Sequence, residues 1–302
     1  MVNYKNNIWY IGLLSAMFMS GSCSKKEAAP APSNKDENYL VVHDDPNDLI
    51  GHAVYELYQA TGIPVFYNDT LARRQVGDSA GIPIYFYTTL MVAYSPSTGA
   101  SNDPSYTLLP KERRAKSMLD LLKTELLTVL PPLPSVFLTD SLFTPARGTP
   151  IVRDAHVGFN TVAIRSVDPD TMGADAKAKY VMAILTRVAS QKLQMLKSAL
   201  LETDFYGISR GLSPYLDPYF VQLAVLSDGS QTLEDFGFIT SVDNHNKVYT
   251  PDKTRDIQSY LEAVFSNTTD AFNTSYANYP AVLKKFAVIR NMLTDLKFKL
   301  PG

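Results

Sequence analysis

Apolar residues along this chain fall into two regimes, one on each side of Gly173. Ahead of it they come in short bursts. Asp48 precedes Leu49, Ala53, Val54, Leu57 and Tyr58 at helical spacing, with Gly62 after them, which predicts a helix capped at both ends. Ile63–Tyr67 then reads as a short strand. Ile82–Tyr94 is rich in β-branched and aromatic residues between turn signals and predicts a long strand. Polar residues, Gly and Pro fill a loop over 95–110. Lys111–Leu130 has an amphipathic helical pattern stopped by Pro131 and Pro132, and Val136–Leu142 and Gly158–Arg165 predict two further strands. Beyond Gly173 the pattern becomes helical at 174–201, 252–266 and 279–297, with few strand signals and no internal repeat. A mixed sheet in the N-terminal half and a mainly helical C-terminal half make an α+β layout.

The first 47 residues follow other rules. Lys5 and the uncharged apolar run Ile8–Met19 have the form of a secretory leader over residues 1–22, too short to span a bilayer. Ser20, Gly21 and Ser22 lead into Cys23, the sole cysteine. This arrangement resembles the lipobox of bacterial lipoproteins, although Ser20 stands where an aliphatic residue is usual. The expectation is cleavage before Cys23, acylation of its thiol and membrane anchoring through that lipid. Residues 23–47 are predicted to be a flexible tether, since Ser24–Asn38 mixes Pro, Ala and charge without periodicity. The folded part is then a single domain over 48–302, with the sheet in 48–172 and the helices in 173–302.

Composition narrows the function. The chain has 302 residues, is 45% hydrophobic, and carries a net charge of −2, enough apolar content for a core and no reason to expect nucleic acid as a partner. One cysteine excludes a disulfide framework. The four histidines, at 43, 52, 156 and 245, form no close pair. His156 and His245 are expected in loops or at the surface. Gly207-Ile208-Ser209-Arg210-Gly211 matches a nucleophile-elbow pattern but follows a helix, so a turn is expected there. Neighbouring acids such as Glu234 and Asp235 make a glycosidase pair only if folding sets them opposite each other. Tyr85, Tyr87, Tyr94, Tyr215 and Tyr219 are expected to be packing residues.

The helix over 174–201 is the chemical centre of the sequence. On a helical wheel Val181, Ile184, Leu185, Val188, Ala189, Leu193, Met195, Leu196 and Leu200 cover one half. Thr186, Arg187, Ser190, Gln191, Gln194 and Lys197 fall on the other. The segment Ala183-Ile184-Leu185-Thr186-Arg187-Val188-Ala189-Ser190-Gln191-Lys192-Leu193-Gln194 resembles the zinc-binding helix of the metallopeptidase lipoproteins, or substrate import-associated zinc metallohydrolases, of Bacteroidetes-type bacteria. Asp204–Ser209, Asp235–Thr240, Arg255–Ser259 and Tyr55–Tyr67 resemble that family's other segments in the same order, so the similarity spans most of 48–298.

The resemblance implies a zincin-like, metallopeptidase-like fold, and places the family's zinc ligands at Thr186, Ser190 and Ser259 and its catalytic glutamate at Arg187. Zinc needs imidazole, carboxylate or thiolate. Neutral hydroxyls are poor substitutes, and arginine neither accepts a proton near neutrality nor tolerates a dication beside it. The expectation is a degenerate motif, with no metal, no cofactor and no catalytic residue. Family members work with TonB-dependent transporters and their surface lipoproteins. The resemblance therefore implies an accessory outer-membrane lipoprotein, periplasmic or surface-facing, that binds a glycan or peptide or docks to the transporter. The alternative is an active hydrolase, zinc-dependent or otherwise.

Overall fold

The computed structural model describes residues 38–93, 103–146, 148–213, 217–226 and 229–302. Cys23, the leader, most of the tether, Tyr94 and Tyr215 lie outside the described residues. Tyr39–Gly302 is one compact unit of mixed α+β structure.

Helix α1 (Leu49–Thr61) begins and ends as its sequence dictates. The Asp48 carboxylate accepts from the Ile50 and Gly51 amides at 3.0 and 3.2 Å, and Gly62 closes the helix at φ +71°, the left-handed geometry glycine adopts without penalty. Strand β1 (Val65–Phe66) follows, shorter than expected. The next two strands differ from expectation. Thr70–Ser79 (β2) and Ile82–Thr89 (β3) form an antiparallel hairpin separate from the main sheet. The β3 side chains are not core residues: Ile82 is 70% exposed and Phe86 58% exposed. Tyr85 stacks with the Arg73 guanidinium at 3.8 Å and lies tilted against Tyr87 with ring centroids 6.5 Å apart. The polar run Thr70–Ser79 hid β2, because a strand exposed on both faces carries no apolar alternation.

Strand β4 (Ser105–Leu108) occupies part of the expected loop. The helix expected over 111–130 is broken. A 3-10 turn at Lys111–Arg113 is followed by extended residues Arg114 and Ala115, then helix α2 (Lys116–Leu121) and a π turn (Leu122–Leu126). Leu122 and Leu126, at the two ends of the π turn, are both fully inside.

Strand β5 (Val136–Thr144) is the axis of the sheet. Its first half runs parallel to β1 on one side and to β8 (Val162–Arg165) on the other; its second half pairs antiparallel with β4 and with β6 (Ile151–Val152). Strand β7 (Ala155–Val157) pairs antiparallel with β8, so the expected strand Gly158–Arg165 starts instead at Val162, after a turn. Gly158 is required in that turn: a Cβ there would lie 2.4 Å from the Met91 carbonyl oxygen. Flanked by parallel neighbours on both sides, the first half of β5 opens with the apolar run Val136–Leu138. Val136 and Leu138 face the main core, while Phe137 and Leu142 join Leu90, Val92 and Ala163 in a smaller cluster on the opposite face.

The helical half begins with α3 (Ala174–Leu196). A second π turn (Leu201–Phe205) and α4 (Tyr206–Gly211) follow it. A small hairpin, β9 (Val242–Asn244) and β10 (Lys247–Tyr249), was not apparent from the sequence. The chain ends with α5 (Lys253–Ser266), α6 (Thr269–Ser275) and α7 (Pro280–Asp295). The buried stripe of α3 agrees with its wheel at Ile184, Leu185, Val188, Ala189 and Leu193. It departs at Met195, Leu196 and Leu200, which are exposed. The helix ends at Lys197, whose φ of −133° leaves helical space, and Leu201 and Phe205 enter the core beyond that break. One cluster runs from Ala53 and Leu138 to Ile257 and Leu293, so sheet and helices share a core.

The contrast between core and hairpin is measurable. Leu138→Ala, at a fully buried site, is expected to cost about 2–5 kcal/mol, whereas Ile82→Ser is expected to change stability by no more than about 0.5 kcal/mol. Urea denaturation of the two variants checks both values.

Candidate functional site

Residues three and four apart on a helix share a face. Ala183, Thr186, Arg187 and Ser190 accordingly line one side of a cleft of about 240 Å³. Val152, Arg153 and Asp154, from β6 and the turn after it, form a second wall, and Thr254 and Gln258 from α5 form the third. Three of the four positions aligned with the zinc motif thus open onto a single cavity. The fourth does not. Ser259 is turned toward its own backbone, donating to the Asp256 carbonyl at 2.8 Å, and Gln258 lines the cleft from α5.

Most of the lining side chains are tied down. The Thr186 hydroxyl donates to the Met182 carbonyl at 2.8 Å, and Ser190 Oγ accepts from Gln194 Nε2 at 3.2 Å. Arg153 Nε donates to Thr144 Oγ1 at 2.9 Å. Asp154 is taken by the Arg165 guanidinium. Arg187 differs: its Nε is shut off from solvent without an acceptor. Burial and then the Arg153 charge push its pKa below the usual arginine range.

His156, in β7 rather than in a loop, sits beside this cationic wall. Burial, followed by the Arg187 charge, lowers its pKa to about 4. It is therefore neutral near pH 7, and its Nδ1 lies 3.3 Å from Gln191 Nε2. His245 lies in the β9–β10 turn at φ +50°.

Zinc does not fit this lining. The residues offer hydroxyls, one amide, two guanidiniums and a single carboxylate already paired with Arg165. Among the described residues no group of three or more His, Cys, Asp and Glu side chains could hold a metal ion.

A buried ion pair ties α5 to α7. Asp256 and Lys285 are both fully inaccessible, with Lys285 Nζ 2.6 and 2.8 Å from the two carboxylate oxygens. The ammonium gives its third hydrogen bond to Ser209 Oγ at 3.1 Å, and Tyr219 donates its hydroxyl to Asp256 Oδ2 at 3.0 Å. All three ammonium donors are satisfied. Phe205, Phe238 and Tyr260 surround the cation with ring centroids at 4.4, 4.8 and 5.0 Å, a cation–π enclosure. Burial drives the lysine down from its usual range and the carboxylate at contact distance opposes that shift. Gly237 completes the enclosure at φ +78°, where a Cβ would stand 3.1 Å from Lys285 Cδ.

The Gly207–Gly211 pattern is also explained here. It forms helix α4 rather than a turn, and Ser209 is a buried partner of Lys285 rather than an exposed nucleophile. The sequence reading missed Lys285 altogether. Its signal was a lysine among Val282, Phe286, Ile289 and Leu293, at a position where α7 should be apolar. Asp256 likewise breaks the apolar stripe of α5, beside Ile257, Tyr260, Leu261, Val264 and Phe265.

Two predictions follow from these groups. Lys285→Met strands a buried carboxylate and is expected to destabilise the protein by about 3–5 kcal/mol, and adding Asp256→Leu should recover much of that loss; chemical denaturation of the single and double variants gives the coupling. His156 has a folded pKa of about 4 against an unfolded value of about 6.5. The unfolded chain therefore binds the extra proton first. The stability contributed by the neutral imidazole is complete above pH 6.5 and is lost as pH falls toward 4. His156→Gln is expected to lose less stability than wild type across that window in denaturation series at stepped pH.

No protein-family model, no curated protein and no solved structure matches this chain.

Proposed function

We propose that the chain is a lipid-anchored envelope protein with a zincin-like scaffold, in which the zinc centre has been replaced by a non-hydrolytic binding cleft. It acts as an accessory component of a TonB-dependent uptake system, holding glycan or peptide cargo near the transporter. One observation carries the reading: Thr186, Arg187 and Ser190, the positions that the resemblance gives to two zinc ligands and the catalytic base, meet in one cleft with a second guanidinium, that of Arg153. A guanidinium cannot accept a proton from water near neutrality and repels a dication. The long helix α3 packed against α5 and the sheet supports the zincin-like assignment. Acylation of Cys23 rests on the leader and the small-residue triplet before it.

Fold alone does not choose between enzyme and binding protein; the donor set supports the binding reading over zinc hydrolysis. Protein purified without chelators is expected to contain well below one equivalent of zinc by elemental analysis and to leave casein intact. Arg187→Glu is expected to restore neither metal nor turnover, because Thr186 and Ser190 still offer only hydroxyls. Stoichiometric zinc, or hydrolysis abolished by a chelator, would contradict the proposal. Mild extraction of the acylated protein should co-purify a transporter barrel; recovery of the protein alone counts against the accessory role.

A further inference from the structure

We infer that the cleft between α3, α5 and the β6–β7 turn binds an acidic sugar, a uronate or a sulfated unit of a glycan, with Arg187 and Arg153 gripping its oxyanion. The inference rests on the proposed reading of the cleft as a binding site and adds the class of ligand.

Charge is the first argument. Several partly or fully buried cations have carboxylate partners, Arg165 with Asp154, Arg210 with Glu202 and Lys285 with Asp256, while Arg114 and Arg290, like Arg187, each hold a buried guanidinium nitrogen without an acceptor. Arg153 and Arg187 have no ion pair among the described residues, yet they face the same small volume. The Arg187 Nε–H is buried without an acceptor, a cost the native state bears unless something supplies one. Like charge and desolvation both weigh on Arg187. A bound oxyanion relieves both at once, and guanidinium geometry matches carboxylate and sulfate through paired hydrogen bonds.

The rest of the lining selects the body of the ligand. Thr186 and Ser190 have spare hydroxyl lone pairs, Thr254 adds a third hydroxyl, and Gln258, whose Nε2 donates to Glu262 at 3.0 Å, keeps its carbonyl oxygen. Apolar lining is limited to Val152 and Ala183. Such a wall suits the hydroxyls of a sugar ring better than a peptide's apolar side chains. At about 240 Å³ the space lies below that of usual ligand pockets, about 300–1,000 Å³, and so takes one sugar-sized unit rather than a chain.

The test is calorimetric titration of the mature protein at fixed low ionic strength with galacturonate, galactose 6-sulfate, galactose, inorganic phosphate and N-acetyl-Ala-Ala. One saturable site for galacturonate or the sulfated sugar is expected, with galactose at least about tenfold weaker, since a hydrogen bond to a charged group contributes about 1.5–3 kcal/mol. Arg187→Met and Arg153→Met should each weaken binding about tenfold or more, and Arg187→Lys less. Arg113→Met, which breaks a surface pair with Asp140, should bind as wild type. Thermal melts confirm that each variant is folded. Equal binding of galactose, tighter binding of phosphate or of the peptide, or unchanged affinity in both the Arg187 and Arg153 variants overturns the inference. Elemental analysis of the same sample separates the two readings. Stoichiometric zinc defeats the proposed function, whereas zinc-free protein that ignores acidic sugars defeats only this assignment.

Discussion

An ammonium and a carboxylate buried together dictate much of what surrounds them. Lys285 and Asp256 are inaccessible to water, so each must find every hydrogen bond inside the protein, and four separate segments supply them. Helix α7 brings the lysine, α5 the aspartate, α4 the Ser209 hydroxyl, and the chain before the short helix Leu223–Leu226 brings Tyr219. Phe205, Phe238 and Tyr260 then enclose the cation. A sliding of α5 by one residue would turn Asp256 away and leave a buried charge on each side. Apolar packing tolerates small slips; a fully satisfied charge pair in low dielectric does not.

The cleft inherits that precision. Asp256 and Gln258 are two residues apart at the start of α5, so the pair that fixes the first also fixes where the second meets Thr186, Arg187 and Ser190 on α3. Two kinds of buried charge therefore meet α5 and play opposite parts. One is paired and holds helices in register. The other, Arg187 with Arg153, is left without a counter-ion and gives the cavity its sign. Neutral His156 beside them adds no carboxylate and no charge near pH 7.

Periodicity made much of this architecture legible. Helix α1 announced itself through Asp48 and Gly62, the helical pattern over 252–266 marked α5, and Val136–Leu142 marked most of β5. Where pattern failed, a tertiary cause is visible. Strand β2 is exposed on both faces and so lacks alternation, the helix expected over 111–130 is split by extended residues at Arg114 and Ala115, and the exposure of Met195 and Leu196 depends on a helix end that no propensity marks. In the site, helical spacing alone placed Thr186, Arg187 and Ser190 on one face. Ser259 was misplaced because one residue on a helix turns a side chain by about 100°, enough to exchange it for Gln258. Arg153 and Asp154 come from a distant strand turn, and the partnership of Lys285 with Asp256 spans 29 residues; neither leaves a local trace beyond a charge at an apolar position.

The central claim is that the buried pair sets the position of α5, and with it the cleft. Native-state hydrogen exchange of the α5 amides from Ile257 to Phe265 tests it most directly. The account predicts that these amides exchange only through global unfolding, at the same free energy as the amides of β5, and that Lys285→Met lowers their protection below that of β5. Exchange of α5 through local opening well below the global value in the wild-type protein, or protection unchanged relative to β5 in the variant, would contradict it.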